Sequence, residues 1–277
     1  MIVAFQGERG AYGEDAAYAF FGISAATEPC RHLSDVFEKV KKGEADFGIV
    51  PVENSTEGSV NETYDLFLIH NLKVCGEKIL KINHCLMANP NADLTSIKTI
   101  YSHPQALAQC RRFLERFDFE LIPVYDTAGS AKILKEKQLK NAGAIGSERA
   151  AELNEMRILA SGISDNPNNF TRFFVLSKTD SPPTGKDKTS IIFAVRHVPG
   201  ALCKVLEILA NKHINITKLE SRPTKQTPWE YNFYIDFEGH RTGKRCREAL
   251  EELRKKVLSM RILGSYPVET EGFPSFL

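Results

Sequence analysis

The chain has little that announces a chemistry. Its six cysteines, Cys30, Cys75, Cys85, Cys110, Cys203 and Cys246, are scattered without a CxxC pair. That excludes a disulfide framework and reads as reduced, mostly buried thiols of a cytoplasmic protein. The seven histidines show no HExxH or other ligand spacing, so no metal is expected. No apolar run approaches the ~20 residues that cross a bilayer. Met1-Ile2-Val3-Ala4-Phe5 enters a strand pattern without the basic n-region and long apolar core of a signal peptide. No membrane association is expected. Neither sign of charge is in excess: 36 Lys+Arg face 35 Asp+Glu, a net charge of +1. Nucleic-acid affinity rests on neutralised phosphates, so this balance argues against a broad nucleic-acid surface. It leaves room for a small charged pocket. There is no internal repeat, no GxGxxG or Walker A loop, and no Ser/His/Asp or Cys/His signature for nucleophilic hydrolysis.

What is present is 277 residues, 42% hydrophobic and 26% charged, the composition of a folded protein of about two domains. A polar stretch with Pro182-Pro183 and Gly185 reads as a linker over 179–188. It divides residues 1–178 from residues 189–277.

The larger part alternates strand and helix signals: strand Ile2–Phe5, a helix from Glu14 to Gly22, a helix capped near Ser34 or Asp35, strand Asp46–Val52 and helix Val60–His70. Leu72–Val74 and Ile79–Ala88 read as strands. Strand Lys98–Tyr101 precedes a helix opened by Pro104, with Leu107, Cys110, Leu114 and Phe117 as its apolar stripe. Strands Leu121–Tyr125, Ala142–Gly146, Arg157–Gly162 and Phe170–Leu176 follow, with helices from Thr127 and over Ser147–Leu153. This order implies an α/β fold with parallel pairing and a ligand beyond the carboxyl ends of the strands. The smaller part reads strand, helix, strand, strand, helix, strand, the βαββαβ ferredoxin-like plan.

Several polar segments occupy places where a site would be built. The loop Gln6-Gly7-Glu8-Arg9-Gly10-Ala11-Tyr12-Gly13 is either an anion cradle at a helix start or a tight turn. Glu53-Asn54-Ser55 follows a buried strand; Glu53 could act as an acid and Asn54 could donate to a carboxylate. Ser102-His103-Pro104-Gln105 recurs one unit later, with Gln105 and Gln109 on one helical face. In Asn169-Phe170-Thr171-Arg172-Phe173-Phe174, alternation sends Thr171 and Phe173 to one side and Arg172 and Phe174 to the other. Arg172 pairs either with a ligand carboxylate or with an internal one.

Together these segments resemble the prephenate dehydratase family over nearly the whole chain. Pro51-Val52-Glu53-Asn54-Ser55, Asn169-Phe170-Thr171-Arg172-Phe173, Ser102-His103-Pro104-Gln105-Ala106-Leu107 and Asp126-Thr127-Ala128 look like its blocks. Gly200-Ala201-Leu202 and Glu220-Ser221-Arg222-Pro223 look like the motifs of an ACT regulatory domain. The resemblance implies a two-lobed, periplasmic-binding-protein-like (type II) catalytic domain, with one lobe over about 1–78 plus 163–178 and the other over about 79–162. It implies decarboxylating dehydration of prephenate to phenylpyruvate in phenylalanine biosynthesis, by a carbon–oxygen lyase without a cofactor. Thr171, Asn54, Ser102, Gln109 and Glu53 are the implied catalytic residues; Arg172, Phe173, Ser55 and Gly7 are the implied substrate contacts. L-phenylalanine is the implied inhibitor, held by Gly200, Ala201, Leu202, Asn215, Glu220, Ser221, Arg222 and Pro223, with Asn215 from a partner subunit of a homodimer or homotetramer. The loop Gly10-Ala11-Tyr12-Gly13 departs from the Gly-Thr-Tyr-Ser of many relatives and looks like arogenate dehydratases, so arogenate is the alternative substrate. A non-enzymatic amino-acid sensor is a further alternative. The dehydratase pattern begins at residue 1, so a fused helical chorismate mutase domain is not expected.

Overall fold

A computed structural model of the chain describes residues 1–224 and 230–270. They form two compact units. One takes residues 1–70 and 78–174, the other 71–77 and 175–270.

The first unit opens with β1 (Ile2–Gln6), α1 (Tyr12–Phe21), β2 (Ala26–Cys30), α2 (Leu33–Lys42), β3 (Phe47–Asn54), β4 (Gly58–Ser59) and α3 (Asn61–Ile69). β5 (Lys73–Lys81) then leads to β6 (Cys85–Ala88), β7 (Thr99–Ser102), α4 (Pro104–Gln109), α5 (Arg111–Leu114), β8 (Glu120–Pro123), α6 (Thr127–Glu136), β9 (Ala142–Gly146), α7 (Glu148–Leu153) and β10 (Arg157–Ser161). The chain returns through β11 (Phe170–Ser177); residues 73–77 of β5 and 175–177 of β11 count with the other unit.

Two sheets result. The first runs β2-β1-β3-β11-β5, with β4 paired to β3. The second runs β10-β6-β9-β7-β8. β1 pairs in parallel with β2 and β3, and its Val3, Ala4 and Phe5 are fully buried, as a strand covered on both faces requires. The sequence pattern misses β2, because Glu28 and Pro29 interrupt its apolar run. As the edge strand β2 tolerates the proline. The pairing is also less uniformly parallel than the alternation implies. β7 runs parallel to β8 and β9, but β6 is antiparallel to β9 and β10. β6 and β10 carry the chain into and out of this lobe; they belong to no βαβ crossover, so nothing obliges them to run parallel. The second lobe's core gathers Leu86, Ile97, Ile100, Cys110, Leu114 and Ile145. The single helix expected after Pro104 is instead α4 and α5, broken at Cys110 (φ −114°, ψ 18°).

The second unit contains β12 (Asp187–Ala194), α8 (Ala201–Asn211), β13 (Ile216–Pro223), β14 (Tyr231–Glu238), α9 (Lys244–Arg254) and β15 (Ser259–Pro267). Its sheet order is β13-β14-β12-β15, antiparallel throughout. Ile191, Phe193, Ile235 and Phe237 of the sheet meet Val205, Leu209, Ala249, Leu250 and Leu253 of the helices in one core. β12 begins inside the stretch read as a linker. Asp187 accepts hydrogen bonds from the Thr184 and Gly185 backbone N–H groups and the Thr184 hydroxyl, which fixes the strand's start. All six cysteines are free thiols; Cys203 is exposed, Cys75 half-buried and the others buried. Among the described residues no helix is long and apolar enough to cross a membrane.

Candidate active site

A cavity of about 260 Å³ lies in the first unit, lined by residues of both lobes. The first lobe brings Asn54 to it from the end of β3 and Thr171 and Phe173 from β11. β3 and β11 are adjacent strands, and Ser55 fixes their tips against each other. Its backbone N–H donates to Phe170 O (2.8 Å), and its hydroxyl donates to Asn168 O and accepts from the Phe170 N–H (both 2.9 Å). Asn54 Nδ2 therefore stands 3.0 Å from Thr171 Oγ1. An amide nitrogen only donates, so Thr171 accepts this bond and keeps its own proton for another partner. Asn54 and Thr171 are 6% and 8% exposed.

The second lobe contributes helix beginnings. His103 is the N-cap of α4, Asp126 of α6 and Ser147 of α7, and all three line the cavity. α1 starts there as well, through Ala11, Tyr12 and Gly13. The caps take the N–H groups of Gln105, Gly129 and Ala150, α1 has no side-chain cap, and each helix start keeps its positive dipole end. The cavity is thus suited to anions although no Lys or Arg is among its lining residues. Gln105 and Gln109 both reach it from one face of α4.

Burial shifts His84, Tyr12, His103 and Asp126 toward their neutral forms. Burial pushes the His84 imidazole down and the Tyr12 phenol well up. Tyr12 Oη lies 3.0 Å from His84 Nδ1, and His84 Nε2 lies 3.0 Å from Gln109 Oε1. His103 Nδ1 accepts from the Gln105 N–H (3.2 Å), which leaves the ring proton on Nε2; burial lowers its pKa against the pull of Asp126. Burial raises the Asp126 carboxyl, opposed by N–H donors that include Gly129 (2.7 Å).

Of the residues named from the sequence, Asn54, Gln109, Thr171 and Phe173 meet at the cavity. Others do not. Ser102 is fully buried, and its hydroxyl donates to Ile145 O at 2.8 Å; it joins β7 to β9. Glu53 and Arg172 lie on the opposite face of the sheet from Thr171. Arg172 sits 4.8 Å from the Phe174 ring centroid and 3.9 Å from Glu53, so its internal pairing is the one observed. Alternation forces this, since neighbours of a cavity-facing strand residue point away. Ser55 braces the strand tips and is not among the lining residues. Gly7 lies behind the lining, where a Cβ would come within 2.8 Å of Asp126 Oδ2. Sequence pattern assigns no site role to His84 or Ser147, and marks Tyr12 and Asp126 only as members of the glycine loop and of the Asp126-Thr127-Ala128 block. Ser147 and Asp126 stand at cap positions one residue before a helix, and that is the signal that marks them.

In the second unit, Ala201 and Leu202 line a cavity of about 140 Å³ together with Arg196, His197, Tyr231 and Phe233. Gly200 precedes them as the N-cap of α8. Ser221, Arg222 and Pro223 lie on β13 opposite Phe233, Asn232 and Tyr231, and are not among the lining residues. Glu220 pairs with Lys218 (3.8 Å), and Asn215 Nδ2 donates to Glu238 (3.1 Å).

Two α/β lobes with a shared cavity, and a ferredoxin-like βαββαβ module in the same chain, define a class of two-lobed, periplasmic-binding-protein-like proteins with an added ferredoxin-like domain. Comparison narrows the class. Residues 3–181 match the family model for prephenate dehydratase, and residues 189–255 match that for the ACT domain. The chain belongs to the prephenate dehydratase family. A bifunctional chorismate mutase/prephenate dehydratase of Aquifex aeolicus is 45% identical over 96% of this chain and 73% of its own length. The chloroplastic arogenate dehydratase/prephenate dehydratase 2 of Arabidopsis thaliana is 39% identical over 97% of this chain and 73% of its own. Prephenate dehydratase from Arthrobacter aurescens, solved in complex with L-Phe, is 33% identical with a TM-score of 0.90, over all of this chain and 93% of that one. A protein described as a novel type of quorum quenching acylase superposes with a TM-score of 0.89 at 33% identity, over 97% of this chain and 98% of that one.

Proposed function

We propose that this cavity converts prephenate to phenylpyruvate, CO2 and water. The observation that carries the reading is Thr171. Its oxygen accepts from Asn54 Nδ2, so its hydroxyl proton is available in a cavity rich in helix N-termini. In the reaction the bond from the ring to its carboxylate breaks and releases CO2. The electron pair enters the ring and expels the ring hydroxyl, which takes a proton and leaves as water. Aromatisation drives the step, and the protein has to hold a dianion and ease the departure of hydroxide. The α1 N-terminus, whose Ala11 makes no side-chain cap, offers N–H groups and a positive dipole end to a carboxylate without a cation. Thr171 donates its hydrogen bond to the departing oxygen; a hydroxyl is a weak acid, so it orients and relays a proton. Gln109 and Asn54 hold Thr171 and the leaving group in register.

The test is Thr171→Ala, followed by phenylpyruvate absorbance. Loss of a positioned proton donor lowers kcat by ~10²–10⁴. Turnover near that of the unaltered chain would remove Thr171 from the mechanism.

Arogenate is the second reading. Asp126 is the one carboxylate among the cavity's lining residues, and arogenate carries an ammonium where prephenate has a keto group. Turnover of both substrates side by side separates the two. A hydrolytic activity like that named for the acylase neighbour finds no support. The cavity hydroxyl of Ser147 donates to Gly10 O (2.6 Å) rather than to a base, and Thr171 Oγ1 accepts from an amide.

For the ACT domain we infer that L-phenylalanine inhibits from the cavity beside Ala201 and Leu202. Ser221 and Arg222 of the same chain, and Asn215 of the partner subunit in a homodimer or homotetramer, would complete the site. A cytoplasmic enzyme of phenylalanine biosynthesis, working without a cofactor, is the setting this reading implies.

A further inference from the structure

Four polar side chains close a hydrogen-bonded ring beside Thr171. Gln109 Nε2 donates to Thr56 Oγ1 (3.2 Å), and Thr56 Oγ1 donates to Asn54 Oδ1 (2.6 Å). Asn54 Nδ2 donates to Asn169 Oδ1 (2.7 Å), and Asn169 Nδ2 donates to Gln109 Oε1 (2.9 Å). The direction of travel is fixed at one corner. Asn54 Oδ1 also accepts from the backbone N–H groups of Thr56 (2.9 Å) and Glu57 (3.0 Å). Backbone N–H groups cannot accept, so the Asn54 amide has one orientation. Its Nδ2 must then donate, which requires Asn169 to present its oxygen to Asn54 and its nitrogen to Gln109. His84 reinforces this from outside, with Nε2 at 3.0 Å from Gln109 Oε1. Asn169 is 1% exposed and is anchored by its carbonyl, which accepts from the Ile82 N–H (2.8 Å). Gln109 comes from α4 of one lobe; Asn54, Thr56 and Asn169 come from the other.

We infer that Asn169 is a positioning residue for the dehydration. By closing the ring with Gln109 it holds Asn54 Nδ2 on Thr171 Oγ1, and so keeps the Thr171 proton turned toward the substrate. The inference rests on the reading of Thr171 as donor to the leaving hydroxyl. Asn169 needs no contact with substrate for this. The physical reason is that Asn169 Oδ1 takes one Nδ2 proton and sets the tilt of the Asn54 amide; without it the amide can swing its Nδ2 toward Phe170 O, only 3.2 Å away. The Thr171 hydroxyl then loses its fixed donor and is free to rotate.

A double-mutant cycle on the full chain tests it, with kcat and KM for prephenate measured for Asn169→Ala, Thr171→Ala and the pair. Expected are a fall in kcat of roughly tenfold or more for Asn169→Ala with KM within about threefold, and no further loss when Asn169→Ala is added to Thr171→Ala. An equal factor in both backgrounds, or an unchanged kcat in Asn169→Ala alone, overturns the inference. Failure of the underlying reading looks different, because Thr171→Ala would then itself turn over normally. Asn169 is buried, so Thr56→Val provides a second opening of the ring at an exposed position. It keeps the backbone N–H and loses the hydroxyl. The same pattern is expected, a severalfold fall in kcat that vanishes in the Thr171→Ala background; an equal fall in both backgrounds, or none, overturns the inference.

Discussion

Gly10 is where the glycine loop of the first lobe touches α7 of the second. A Cβ at this position would stand 2.7 Å from Ala150 Cα, 2.9 Å from its N and 3.1 Å from its Cβ. Carbon–carbon contacts settle at ~3.5–4.0 Å, so Gly10→Ala requires α7 to retreat by about 1 Å. The Ser147 hydroxyl, which donates to Gly10 O at 2.6 Å, would be stretched past bonding distance. The backbone φ of +87° adds ~1–3 kcal/mol for an L-residue, and a lost buried hydrogen bond adds ~1–3 kcal/mol. Together they cost ~2–6 kcal/mol. Gly22→Ala is the control: φ is +84°, with nothing within 4 Å of the new methyl. It carries backbone strain without a lobe contact. Thermal unfolding of both variants should place Gly10→Ala lower, and its KM for substrate should rise because the cavity wall has moved. Equal unfolding temperatures and an unchanged KM would refute the claim that this contact sets the cavity's closure.

Two further expectations concern a buried carboxylate and the second unit. Glu14 is fully buried and accepts from the Gly10 N–H (2.7 Å) and the Thr27 hydroxyl (2.7 Å), with Arg149 at 3.3 Å and Arg9 at 3.5 Å. Burial by itself would raise its pKa, but these donors outweigh burial and the net shift is downward from 4.5. The stability it contributes is therefore complete above that ordinary value and lost as pH falls through the lowered folded value. Glu14→Ala should cost ~3–5 kcal/mol at neutral pH, and the gap to the unaltered chain should narrow in acid; a gap independent of pH would contradict the assignment. In the second unit, calorimetry should show L-Phe binding to the full chain, with substitution of Ser221 or Arg222 weakening it. Coupling of ~1–3 kcal/mol between the two sites corresponds to a roughly 5–150-fold effect on substrate affinity. No binding heat, or binding that ignores those substitutions, would remove the regulatory reading.

Part of the site is legible in the sequence alone. Thr171 and Phe173 separate from Arg172 and Phe174 by simple alternation, and Gln105 and Gln109 share a face by helical spacing. Both patterns place these side chains as the structure does. Ser102 and Glu53 depart from expectation for one shared reason. Each lies at a strand's carboxyl end, where an α/β ligand is expected, but a strand end has two faces. Ser102 points to Ile145 O inside its own sheet, and Glu53 points behind the sheet toward Arg172. Local sequence cannot say which face a partner lobe covers. Tyr12 and Asn169 of the first lobe reach His84 and Gln109 of the second, and those meetings depend on the two lobes coming together.

The order of strands and helices, the βαββαβ plan of the second unit and the motifs over residues 51–55 and 169–173 were set by local pattern. Periodicity and turn chemistry are properties of neighbours in the chain. The tertiary structure alone decided the placement of polar groups: which amide donates to Thr171, which face of β11 meets the cavity, and that α1, α4, α6 and α7 begin at its wall. A hydrogen bond's direction is fixed by both partners at once, and Asn54 and Thr171 lie 117 residues apart.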